Sequence, residues 1–175
     1  MTIPLITVIG KSGAGKTTLL EKLIPELKRR GYNVATIKHH SHSGFEIDQP
    51  GKDSWRYAQA GSNHVVIAAP DKIASYRLVD RELELDEIAS GINGVDIILI
   101  EGYKQANKPA LEVVRAANSL ELIGCATQRF AVASDIFLEV DVPQFDLNDI
   151  IGIATLIEIL FLSHAEKNKL QRMVT

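Results

Sequence analysis

The run GKSGAGKT at residues 10–17 constrains this chain more than any other segment. Its spacing is Gly, four residues, then Gly-Lys-Thr. Glycines let a backbone curl until successive N–H groups face one anion. The residues before it, 3–9 (IPLITVI), have the Ile, Val and Thr content of a buried strand. After it, Leu19, Leu20, Leu23, Ile24 and Leu27 recur on one helical face, with Glu21, Lys22, Lys28 and Arg29 off that face and Gly31 as a stop. Strand, glycine loop and helix in that order make a phosphate cradle, and the helix N-terminus adds partial positive charge. Gly10, Lys11, Ser12, Gly13, Ala14, Gly15, Lys16 and Thr17 are therefore candidate nucleotide-binding residues. Lys16 is placed to reach the β- and γ-phosphates as a compact cation. The Thr17 hydroxyl suits Mg²⁺, which takes an octahedral shell of oxygens.

Two residues in this region pull against a simple reading. Pro25 lies inside the helical pattern, where it removes a backbone bond, so a bend is expected. Lys11 has two readings. It is an exposed loop lysine, or it reaches across a dimer to the partner's nucleotide as an arginine finger does.

The rest of the chain alternates between strand and helix signals. Residues 33–38 (NVATIK) predict a second strand, followed by a polar stretch over 39–51 and a short helix over 53–60 that stops at Gly61. Residues 64–69 (HVVIAA) and 73–78 flank a Pro70-Asp71 turn, which suits a hairpin and a mixed sheet. A short helix follows over 85–90. Residues 95–100 (VDIILI) form the most apolar strand and belong at the sheet centre. Further strands are expected over 111–115 and 130–133. A closing helix over 147–161 follows, in which the apolar stretch 150–162 reads as buried. Residues 163–175 form a polar tail. The alternation argues for one α/β domain over 1–175: a three-layer P-loop NTPase fold with a mostly parallel central sheet flanked by helices and a β-hairpin extension.

A nucleotide-binding α/β protein places its metal-binding acid at the end of a neighbouring apolar strand. Here VDIILI runs into Glu101-Gly102-Tyr103-Lys104, so Glu101 is the candidate second Mg²⁺ contact and Gly102 leaves room for the γ-phosphate. Asp96 lies at the opposite end of that strand. The segment Lys38-His39-His40-Ser41-His42, with Glu46 and Asp48 beyond it, follows the second strand and falls among the loops that surround a ligand. His40 and His42 share a face of an extended chain and offer two imidazoles to a transition metal. The alternative is a polar loop whose histidines contact phosphate or substrate.

Bulk properties exclude several classes. The formal net charge of −3 gives no electrostatic footprint for nucleic acid or anionic lipid. The single cysteine, Cys125, allows no internal disulfide and fits a reducing compartment. Residues 1–10 lack a signal-peptide pattern, and the stretch 150–162 is interrupted by Glu158 and too short to span a bilayer. The expected location is the cytoplasm, with no membrane and no nucleic-acid partner.

Three blocks together resemble one known family, the molybdopterin-guanine dinucleotide biosynthesis adapter proteins, MobB. The blocks are GKSGAGKTTLLEKLIPELKRRG, KHHSHSGFEIDQPGKDSWRYAQAG and VDIILIEGYK. The middle block is the most specific. Val114-Arg115 and Ala133-Ser134-Asp135 also look like that family's, and the resemblance covers roughly residues 3–135. It implies a GTP-binding protein with slow GTPase activity, dimeric, which assists the molybdopterin guanylyltransferase that attaches GMP to molybdopterin. It further implies that Gly13, Gly15, Lys16, Thr17 and Thr18 hold the triphosphate, that Glu101 serves Mg²⁺, and that Asp48 and Asp53 line the same pocket. The usual guanine signature Asn-Lys-x-Asp is missing, since Asn107-Lys108-Pro109-Ala110 has only its first half. Asp135, at a strand end, is the candidate acceptor for guanine N1–H and N2–H₂.

Other functions compete with this one. A small-molecule kinase or ligase would need an acceptor pocket and a base, for which His39, His40 and Asp48 are available. Dethiobiotin-synthase-like enzymes also end this strand in Glu-Gly. A GTP-dependent metallochaperone would use the histidine segment. A pure binding module would not hydrolyse nucleotide at all. The sequence offers no water-positioning Gln and no arginine finger, which predicts slow hydrolysis and a nucleotide used as a conformational signal through the 39–51 loop.

Overall fold

The structure is a computed structural model and describes residues 2–40 and 44–162. The chain divides into two compact units, one of residues 1–39 and 88–175 and the other of residues 40–87.

The larger unit is built on six parallel strands: β1 (Leu5–Ile9), β2 (Val34–Lys38), β5 (Ile97–Glu101), β6 (Ala110–Val114), β7 (Arg129–Ser134) and β8 (Gln144–Phe145), in the order β2-β5-β1-β6-β7-β8. β1 lies inside the sheet. Val8 pairs with Glu101 on one side and with Leu111 on the other. On the far side of β5, Lys38 also pairs with Glu101. The C-terminal ends of β1, β2 and β5 are thus level. The loops after them emerge together, where ligands of open parallel sheets sit. Ile97, Ile98, Leu99 and Ile100 are all fully buried, as expected of a strand covered on both faces.

Helix α1 (Lys16–Arg29) packs Leu19, Leu20, Leu23 and Leu27 against one face of this sheet. It runs through Pro25 to Arg29 without interruption. Beside it, α4 (Ile150–Ile157) starts at Asp149, whose carboxylate accepts from Gly152 N. It continues into a turn of π-helix, Glu158–Leu162. Ile153, Ala154, Ile157 and Leu162 join the core. The stretch 150–162 is nevertheless only half buried. Ile151 is 67% exposed and Ile159 62%, because a helix laid on a sheet hides one face and these residues lie on the other.

The opposite sheet face hides an ion pair. Glu112, in the middle of β6, is fully buried. Its carboxylate accepts from Arg129 Nε on β7 at 2.7 Å and from the backbone N–H groups of Ile123 and Gly124. Three donors, one of them a guanidinium, offset the cost of burying this carboxylate. The loop 121–125 is thereby tied to the sheet.

The smaller unit holds α2 (Asp53–Gln59) and the antiparallel hairpin β3 (His64–Ala69) and β4 (Lys72–Arg77) around Pro70-Asp71. Gly61, just past α2, has φ +101°, the left-handed stop the sequence predicts. The hairpin is a two-stranded sheet of its own, so the central sheet is wholly parallel rather than mixed. A third short helix, α3 (Leu85–Ser90), spans the boundary between the units. Among the described residues, no helix is long and apolar enough to cross a membrane.

Candidate functional site

The phosphate loop occupies the turn from β1 into α1. Gly10, at φ +146°, sits so close to β6 that a Cβ would lie 2.3 Å from the Val113 carbonyl oxygen, so only glycine fits. Gly15 takes the N-cap position in the left-handed region, with no side chain to bond the free N–H groups of the first turn. That turn also carries no acidic residue. An uncapped helix N-terminus of this kind leaves its donors and its partial positive charge for an anion.

Lys16 Nζ curls back over the loop and donates to the carbonyls of Gly10 and Lys11, both at 2.9 Å. Its pKa is lowered, chiefly by burial and also by nearby Lys38, while Glu101 opposes the shift. The ammonium is therefore poised over the loop without a carboxylate of its own at contact distance. Lys11 points elsewhere: its ammonium pairs with Glu121 across exposed surface.

Thr17 and Glu101 come together as the sequence anticipates. The Thr17 hydroxyl lies 3.0 Å from both Glu101 carboxylate oxygens, and Lys38 Nζ is 3.6 Å from one of them. A hydroxyl and a carboxylate side by side are hard oxygen donors of the kind Mg²⁺ takes, with phosphate and water to complete the shell. Beyond Glu101, Gly102 lies against His39. A Cβ there would meet His39 Cβ at 3.0 Å, so the glycine makes room for that histidine. Tyr103 follows at φ +53°, an uncommon conformation for a non-glycine residue, and its ring lies 4.3 Å from that of His39.

Two residues that the sequence does not reveal hold the loop from the β6 side. The turn after β6 is closed by Asn118 N and Ser119 N donating to Arg115 O. From it, the Asn118 side-chain amide donates to Ser12 O and covers Gly13. The Arg115 guanidinium lies over Gly15, with Nη2 3.2 Å from where a Cβ would stand.

A cavity of about 170 Å³ opens beside this guanidinium. Gly15, Thr18 and Lys22 of α1 line one side, and Asp135, Asp146 and Asn148 line the other. Asp135 follows β7, and one of its carboxylate oxygens accepts from Ala116 N at 2.8 Å. Lys22 Nζ donates to Asn148 Oδ1 at 2.8 Å. Of the predicted contacts, Thr18 and Asp135 meet here. Asp48 belongs to the smaller unit, where it accepts from the Tyr76 hydroxyl at 2.9 Å and from Gln49 N. His42 lies outside the described residues, and among those described no group of three or more His, Cys, Asp or Glu could hold a metal.

A wholly parallel sheet with the glycine loop between β1 and α1, and an acid ending the next strand, defines a protein of the three-layer P-loop NTPase fold. The chain belongs to the MobB family: residues 5–135 match the model of the family described as molybdopterin guanine dinucleotide synthesis protein B. It is 40% identical over 158 residues to a molybdopterin-guanine dinucleotide biosynthesis adapter protein of Haemophilus influenzae, covering 89% of this chain and 88% of that one. To the adapter protein of Escherichia coli K12 it is 37% identical, covering 87% of this chain and 90% of the other. The crystal structure of a molybdopterin-guanine biosynthesis protein B superposes with a TM-score of 0.73 at 30% identity, covering 89% of this chain and 99% of that one. The structure of Bacillus subtilis MobB shares the fold, with a TM-score of 0.73 at 23% identity and coverage of 89% and 97%.

Proposed function

We propose that this chain is a GTP-binding protein with weak GTPase activity that acts as an adapter in the synthesis of the molybdopterin guanine dinucleotide cofactor. One observation carries the nucleotide part of the reading. The hydroxyl of Thr17 meets the carboxylate of Glu101 at 3.0 Å, beside an uncapped helix N-terminus and an ammonium folded over its loop. Cation, helix dipole and free N–H groups suit the triphosphate, and the two oxygen donors suit Mg²⁺. Mg²⁺ there would neutralise charge on the β- and γ-phosphates. Residues 10–18 hold the phosphates in this reading, and Asp135 accepts from the guanine N1–H and N2–H₂ edge.

Slow hydrolysis follows from what surrounds the loop. Lys11 is occupied by Glu121, and Arg115, which touches the loop, lies over Gly15 and lines the cavity that Thr17 and Glu101 do not line. The adapter role rests on family membership and on the printed descriptions of the two bacterial relatives. With it come a cytoplasmic location, a homodimer and the molybdopterin guanylyltransferase as partner. Nucleotide competition tests the reading. GTP should displace a bound fluorescent GTP analogue and ATP should not, and pull-down should recover the guanylyltransferase. Large stimulation of turnover by a single small metabolite would instead favour a kinase or ligase.

A further inference from the structure

We infer that Arg115 reads the base: its guanidinium fork donates to the O6 and N7 acceptors of a guanine seated in the cavity between α1 and the 146–148 loop. The inference rests on the nucleotide-binding reading above and deepens it. The starting observation is a buried polar atom. Arg115 Nε is shielded from solvent and has no hydrogen-bond partner among the described residues. A buried donor left unmade costs about as much as a lost hydrogen bond, so such atoms in native proteins call for an explanation, a ligand among them.

The position of the guanidinium selects which part of a nucleotide it meets. It lines a cavity with Thr18, Lys22, Asp135 and Asp146, and neither Lys16, Thr17 nor Glu101 lines that cavity. The cavity begins at Gly15, at the edge of the phosphate loop, and extends along the Thr18–Lys22 side of α1, away from the Thr17–Glu101 pair. At about 170 Å³ it has room for a flat ring system rather than a whole nucleotide.

The donors and acceptors around it fit guanine. Arg115 and Asp135 end neighbouring strands, and Ala116 N, next in the chain to Arg115, fixes one Asp135 oxygen at 2.8 Å. A guanidinium fork beside a carboxylate matches O6 and N7 on one edge of guanine and N1–H and N2–H₂ on the adjoining edge. Adenine in the same place keeps only the N7 acceptor for the arginine, turns its N6 amino group to where O6 would be, and sets its N1 acceptor against the carboxylate. Guanine preference then needs no Asn-Lys-x-Asp segment, which this chain lacks.

Calorimetry with Mg²⁺ and four ligands tests this: GTP, ATP, 7-deaza-GTP and inorganic triphosphate. The wild-type chain should bind 7-deaza-GTP, which lacks the N7 acceptor, several-fold more weakly than GTP. Arg115→Met should lower GTP affinity about tenfold or more, bring the GTP to ATP ratio towards one, and abolish the 7-deaza effect. Arg115→Lys should keep part of the discrimination, because an ammonium still donates to O6 and N7 though without the planar fork. Inorganic triphosphate should bind all three proteins equally. Equal loss of GTP and inorganic triphosphate would make Arg115 a phosphate contact and overturn the inference. An undiminished affinity of the wild-type chain for 7-deaza-GTP would also overturn it while leaving triphosphate binding intact. A wild-type chain that binds no triphosphate at all would overturn both readings.

Discussion

The two ends of α1 show opposite solutions to the same problem. Every helix leaves unpaired N–H groups at its start and unpaired carbonyls at its end. At the start of α1 Gly15 offers no capping side chain, the helix's first turn holds no acid of its own, and the Lys16 ammonium bonds loop carbonyls. At its end, by contrast, Gly31 N and Tyr32 N donate to the carbonyls of Lys28 and Leu27, Arg29 and Arg30 both grip Glu26, and Arg30 also reaches Thr155 and the Ile151 carbonyl on α4 and Glu158 just past it. The Tyr32 hydroxyl donates to Glu158 at 2.7 Å. One end is kept open for a ligand and the other is closed by the protein itself. A single fourteen-residue helix can therefore carry binding and anchoring without either disturbing the other.

That contrast breaks most easily at Lys16. Lys16→Ala should reduce triphosphate affinity by about 100-fold or more, roughly 3 kcal/mol, with thermal stability unchanged or slightly raised because a partly buried ammonium is removed. Calorimetry and thermal melting check the two halves, and unchanged affinity would contradict the phosphate role. Arg30→Ala should do the reverse. It removes the link between α1 and α4 and should cost about 1–2 kcal/mol in urea unfolding with nucleotide affinity intact. A fall in affinity would show that the two ends are coupled. Glu101→Gln should weaken Mg²⁺-dependent nucleotide binding about tenfold and leave Mg²⁺-free binding alone, which parallel titrations would reveal.

The smallest effect concerns acid. Glu26 has its pKa lowered to about 2 from the ordinary 4.5 by hydrogen bonds from Arg29 and Arg30. Glu87 is lowered to about 2 chiefly by Arg81. A depressed carboxylate stabilises the fold fully above its unfolded value, and the contribution is lost as pH falls from there through the folded one. Both residues should stay ionised at pH 3 in carbon-detected NMR titration. Arg30→Ala should raise the Glu26 value and leave Glu87 where it is.

The open end of α1 was far more legible in the sequence than the closed one. A phosphate loop is local: eight residues, a strand before and a helix after, and the acid at Glu101 announced by four apolar residues in a row. The hairpin was legible for the same reason, since Pro70-Asp71 separates two short β-rich runs. What stayed hidden depends on partners distant in the chain. Asn118 reaches Ser12 and Arg115 covers Gly15 across about 100 residues. Glu112 looks like an outward polar residue until Arg129 and the 123–124 backbone close on it. β8 is two residues long, with no period to detect. The approach of His39 to Gly102 is likewise a contact that pattern alone does not encode.

The strand order has a consequence in time as well as in space. β1 is synthesised first, yet its neighbours in the sheet are β5 and β6, with Leu5 opposite Ile98 and Val8 opposite Leu111. The glycine loop therefore leaves the ribosome about a hundred residues before the strands that hold it. Pairings this distant are slow to close, because the entropy of a long loop must be overcome before any contact repays it. The motif cannot take its working shape before those later strands join it. A nascent chain halted before β6 would carry the whole GKSGAGKT sequence without the carbonyl of Val113 or the side chains of Arg115 and Asn118 that shape it.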